Sequence, residues 1–224
     1  MAVTLGDLVR YVVALLTLGA AAIHAAVIGE HFQQYTLFGV FFVVVAALQV
    51  AWGALVVARP SGAVYLAGAL GNGLVVALWV VSRSARLPLG PEPLSAEESS
   101  VIDAMATAYE VVAVVGVLVL LRRARFLDRR LDPGVLGGAV GVFGSVLAAV
   151  TAAAITAHRP DEDAASDVAG SHLLHLVLVG GGFVGFGIYA LVVAWWRNHE
   201  TSQRSRNRDS PRGPDGHKES LPHG

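Results

Sequence analysis

The stretch "LVRYVVALLTLGAAAIHAAVIGEHF", Leu8 to Phe32, decides the fold. Its first part, Leu8 to Gly29, is apolar enough and long enough to cross the hydrocarbon layer of a bilayer, which takes about 20 helical residues. Its end carries His24, Glu30 and His31, and ionisable groups in such a place are expensive. They either hold something or mark where the helix leaves the membrane.

The rest of the chain is of the same kind. Of its 224 residues 54% are hydrophobic and only 15% charged, against about 25% charged in an ordinary soluble domain, and the mean hydropathy is +0.60. Five further runs match the first: Thr36 to Ala58, Gly62 to Ser82, Val101 to Leu121, Gly134 to Ala157 and His172 to Trp196. The alternating segments of a membrane barrel are absent, and backbone groups in lipid must be satisfied within each segment. The fold expected is all-α: an integral membrane bundle of six transmembrane helices over residues 1–197. The stretch 198–224, rich in Ser, Arg, Pro, Gly and Asp, reads as a disordered cytoplasmic tail.

Arginine sets the orientation. "RRARFLDRR", Arg122 to Arg130, the tail after Trp196, Arg10 and Arg59 fall on one side. The opposite side has Arg83, Arg86 and Arg159 beside Glu92, Glu97, Glu98, Asp161, Glu162 and Asp163. Both termini are therefore expected in the cytoplasm, in a multi-pass protein of the cytoplasmic membrane. "LGAAAIHAA" offers small residues to a signal peptidase, but the apolar run is long for a signal peptide and only Arg10 precedes it, so an uncleaved helix is expected. The scarcity of Lys, found once at Lys218, beside abundant Arg, Ala, Val and Gly suggests a high-GC bacterial genome.

With no cysteine, thiolate metal sites, disulfides and cysteine nucleophiles are excluded. In the expected topology His24 and His31, seven apart, lie on nearly one face near the outer surface, and His172 and His175 share a face at the start of the sixth span. If helices 1 and 6 are adjacent, His24, Glu30, His31, His172 and His175 form an outward-facing imidazole and carboxylate site. Such a site suits copper or another divalent transition metal. Haem b between His24 and His175 is the alternative cofactor. The plain alternative is that these are interfacial residues, and that Gly137 to Gly141 and Gly181 to Gly185 simply pack helices 5 and 6 together.

Gln49, Asn72 and Glu110 fall near the middle of spans 2, 3 and 4. A lone midplane carboxylate must be protonated or partnered. Glu110, with Asp103 seven residues away on the same face and Asn72 as a hydrogen-bonding candidate, reads as a proton or ion relay, or else as a polar pin between helices. Arg83 either snorkels to headgroups or pairs with Glu30 or Asp103 to close the outer mouth.

"AAIHAAVIGEHFQQYTLFGVFF" and "VSRSARLPLGP" resemble a set of uncharacterised small polytopic membrane proteins of high-GC bacteria. The resemblance covers helices 1 to 4 and implies no activity. No phosphate-binding loop, GxSxG, HExxH or dinucleotide fingerprint occurs, and no nucleic-acid partner is expected. The partners expected are the bilayer and a membrane-protein partner or second copy. Three functions follow as expectations: transition-metal handling or transport, a b-type haem redox subunit linked to the quinone pool, or an accessory subunit with no site of its own.

Overall fold

The structure is a computed structural model that describes residues 3–85 and 100–158. Within them lie five helices, each long and apolar enough to cross a membrane: α1 (Leu5–Gln34), α2 (Thr36–Ala58), α3 (Gly62–Ser84), α4 (Val101–Leu121) and α5 (Pro133–His158). The sixth span, His172 to Trp196, the 198–224 tail, and Arg86 with the acidic loops lie outside the described residues. A 3₁₀ turn, Arg125–Asp128, joins α4 to α5.

Local chemistry explains where the helices start and stop. Thr4 opens α1 with a capping box: its side chain accepts from the Asp7 N–H at 3.3 Å and Asp7 accepts from the Thr4 N–H at 2.9 Å. Ser100 and Asp103 repeat the device on α4, and the Ser61 hydroxyl caps α3. Such caps satisfy the orphan N–H groups of a first turn. They also lengthen α1 by three residues beyond the apolar run that begins at Leu8. At its other end α1 runs past Glu30 to Gln34, where the Gln34 side chain donates back to Glu30 at 3.1 Å. Tyr35 alone, in extended conformation, separates α1 from α2. Asp132 caps α5 by accepting from Gly134 and Val135, with Pro133 at the first helical position, where its missing N–H is not needed.

Helix α1 is the axis of the bundle and the most enclosed element, packed against α2, α4 and α5. Helix α3 packs on α4 and more lightly on α2, and most of its surface faces outward. Three close approaches among the described residues depend on glycine, one of them at Gly39 of α2, where a Cβ would stand 2.3 Å from the Phe32 ring of α1. A Cβ at Gly116 of α4 would stand 2.5 Å from Val13 of α1. A Cβ at Gly68 of α3 would run into the Trp52 ring of α2, whose indole N–H donates to the Val64 carbonyl at 2.7 Å. Below 3 Å a neighbour must move, so the helices meet at these points because the side chain is absent.

At the Arg10 end, the α4–α5 connection is tied to the start of the chain. The Leu5 N–H donates to the Arg129 carbonyl, and the Leu131 N–H to the Val3 carbonyl, both at 2.9 Å. The apolar interior falls into two clusters. One, near this end, includes Tyr11, Leu15, Val56, Ala113, Val117 and Leu136. The other, near the Glu30 end, includes Ile23, Val27, Ile102, Ala106 and Ile155. Along α4, Glu110 stands between Ala106 of one cluster and Ala113 of the other.

Candidate functional site

Four helices each place one polar side chain in the layer between the two apolar clusters: His24 from α1, Gln49 from α2, Asn72 from α3 and Glu110 from α4, all buried. They form one hydrogen-bonded chain. The Asn72 amide donates to the Gly68 carbonyl of its own helix at 3.0 Å, while its oxygen accepts from Gln49 Nε2 at 3.3 Å. Gln49 Nε2 also donates to Glu110 Oε1 at 2.7 Å, and His24 Nε2 meets the same oxygen at 2.9 Å.

Each group alone would be costly in hydrocarbon; joined, they satisfy one another. The satisfaction is incomplete. Glu110 Oε2 and Gln49 Oε1 are both buried and have no hydrogen-bond partner among the described residues. One oxygen of a carboxyl group 1% exposed thus meets both Gln49 Nε2 and His24 Nε2 while the other is open. Chemically, the His24–Glu110 contact holds a proton in either of two places, as N–H···O or as O–H···N. The open oxygen is a further acceptor for a proton donor or a cation.

The other candidates sit elsewhere. His31 lies two turns along α1, and its Nδ1 is 2.8 Å from the Val27 carbonyl of its own helix. Both imidazoles pack against Phe42, with ring centroids at 5.3 Å from His24 and 4.1 Å from His31. Glu30 turns to α5, where His158 Nε2 is 3.2 Å from its Oε2. Arg83 Nη2 donates to Asp103 Oδ2 at 2.9 Å, and the guanidinium lies over the Trp79 ring at 5.4 Å. Asp103 is therefore occupied by an ion pair at the Glu30 end of the bundle, apart from Glu110.

His24, Glu30 and His31 consequently face three different partners. Among the described residues no three His, Asp or Glu side chains converge on a point that a metal ion could occupy. His172 and His175 lie outside the described residues. Of the relay candidates, Glu110 and Asn72 belong to one network, joined through Gln49 rather than directly. A lone amide in the apolar helix "TLFGVFFVVVAALQVAWGALVVA" is the sequence signal that points to Gln49. The partnership of Glu30 with His158 has no such signal, because it joins residues 128 apart.

No protein-family model, curated protein or solved structure matches this chain.

Proposed function

We propose that the chain is a proton-coupled carrier of the bacterial cytoplasmic membrane, in which the His24–Glu110 pair takes up and releases the coupling proton. The observation that carries this reading is the asymmetry of Glu110: Oε1 is engaged by Gln49 and His24, and Oε2 is buried with no partner among the described residues. A carboxyl placed at the middle of a membrane-compatible bundle and left half-satisfied is expensive to keep, and intramembrane groups of that kind serve proton relays and ion pathways. Gln49 and Asn72 hold the carboxylate in place and link α2 and α3 to any change in its hydrogen bonding. The arginine distribution puts the Arg10 end, with both termini, in the cytoplasm, and the Glu30 end outside. The Arg83–Asp103 pair then closes the outer side of α3 and α4.

The test uses the full chain in proteoliposomes under an imposed pH gradient. Wild type is expected to pass protons. Glu110→Gln, which keeps an acceptor oxygen but cannot ionise, is expected to abolish the flux while eluting as a folded protein. Infrared difference spectra in D₂O supply a readout independent of any co-substrate: an exchanging carboxyl band, absent in Glu110→Gln. A wild type in which neither signal depends on Glu110 overturns the reading.

Two other readings have their own tests. Handling of copper or another divalent ion would use Glu110 Oε2 as an open oxygen donor and requires His172 and His175 to reach the same place; elemental analysis of wild type beside His24→Ala decides it. Haem b has less support from the geometry, because His24 Nε2, its natural ligand atom, is engaged by Glu110; a Soret band lost in His24→Ala would establish it. If no variant changes any of these signals, the accessory-subunit reading stands.

A further inference from the structure

Three residues of α1 repeat at intervals of seven: Arg10, Thr17 and His24. Seven residues are about 10 Å of helix and return to nearly the same face, with a drift of about 20°. All three are buried, Thr17 completely. The stripe lies where α1 meets α2 and α4, as shown at its upper end by the bonds from His24 and Gln49 to Glu110. Four polar atoms along it are buried without a partner among the described residues: Arg10 Nε, Thr17 Oγ1, Gln49 Oε1 and Glu110 Oε2.

The bland alternative for Thr17 is a hydroxyl tolerated in a packed core. A threonine in a helix ordinarily donates back to the carbonyl one turn before it, and Thr156 of α5 does so to Ala152 at 2.8 Å. Thr17 makes no such bond among the described residues. It shares its helix stripe with Arg10 and His24, and Ala14, Ala20 and Ala21 of the same helix are small and buried. Buried polar atoms of this kind are served by internal water.

We infer that Arg10, Thr17 and Glu110 line a hydrated passage from the Arg10 end of the bundle to the His24–Glu110 pair, with the Thr17 hydroxyl as its midpoint. Each interval of about 10 Å is bridged by roughly three waters at hydrogen-bond spacing. The hydroxyl both donates and accepts, so it passes a hydrogen-bonded chain along the stripe. Hydration of the line rests on the geometry alone; its use as the inner arm of a proton route rests on the carrier reading above.

The chain has no cysteine, so a single introduced thiol is its own reporter. The test measures reaction of the full-length chain in liposomes with the small hydrophilic reagent aminoethyl methanethiosulfonate. It compares Thr17→Cys with Leu16→Cys, which is also buried but about 100° around the helix. The passage predicts that Thr17→Cys reacts at least about tenfold faster, since a thiol reacts only where water and reagent reach it. Equal rates, fast or slow, overturn it. If Thr17→Cys does not fold, Ala21→Cys, one turn further on the same side, makes the same comparison. Fast labelling with proton signals indifferent to Glu110 keeps the passage and removes the carrier reading. Slow labelling with Glu110-dependent signals does the reverse.

Discussion

Among the described residues, three acid–base side-chain contacts join different helices of this bundle, and they differ chiefly in depth. The His24–Glu110 side chains are 8% and 1% exposed, Arg83–Asp103 19% and 21%, and His158–Glu30 30% and 48%. The distances are similar, 2.9, 2.9 and 3.2 Å. Depth therefore decides what each contact does. Water or headgroups can replace a lost partner at the Glu30 end, whereas nothing replaces one in the layer around Glu110. The comparison teaches that the same pairing of acid and base is a surface contact at one level and part of a buried polar network at another.

Substitutions should separate the three levels in order. Glu110→Ala leaves His24 and Gln49 without their shared acceptor and is expected to cost about 3–5 kcal/mol, the range for stripping one partner from a buried pair. Thermal unfolding in mild detergent reads it, and a fall no larger than that of a rim variant would erase the distinction. Gly68→Leu attacks the far end of the same chain by driving a side chain into Trp52, beside the carbonyl that holds Asn72. Overpacking of this kind costs about 1–3 kcal/mol, and the tryptophan fluorescence, to which Trp52 contributes with three others, should shift with it.

At the intermediate level, Asp103→Asn removes the charge facing Arg83 and keeps the helix cap. Its expected cost is about 1 kcal/mol, the upper end for partly exposed pairs, and the loss should shrink at high salt. His158→Ala is the smallest change, within about 0.5 kcal/mol of wild type. A double-mutant cycle on each pair sharpens the contrast further. Coupling should be large for His24 with Glu110 and near zero for His158 with Glu30.

Much of this arrangement was legible before any packing was known. The apolar runs of α2 and α4 end where the helices end, at Arg59 and Arg122, and Ser100 caps the start of α4. The ends of α1 were less legible. The capping box in "TLGD" lies before the apolar run, and the polar residues Glu30 to Gln34 continue as helix because nothing breaks it before Tyr35. Glu110, Asn72 and His24 stood out as polar residues inside apolar segments. Their connections did not, since hydropathy sets depth and not azimuth. Equal depth makes Asn72 a candidate partner for Glu110; rotation of α2 puts Gln49 between them. Likewise the seven-residue spacing puts His24 and His31 on one face, yet both pack against Phe42 of α2 and bond elsewhere.

The single residue between α1 and α2 has a consequence for how the protein is made. With only Tyr35 to turn the chain, the two helices come together as a hairpin once both are synthesised, and their contacts are short-range in sequence. His24 and Gln49 then share a layer while Glu110 is still 61 residues downstream of Gln49. For that interval the nascent hairpin carries two polar groups whose common acceptor does not yet exist. The arrival of α4 supplies that acceptor, so docking of the fourth helix closes the polar layer before α5 is added. A chain interrupted before that point leaves the His24 imidazole and the Gln49 amide without their shared acceptor, a cost that apolar surroundings make large.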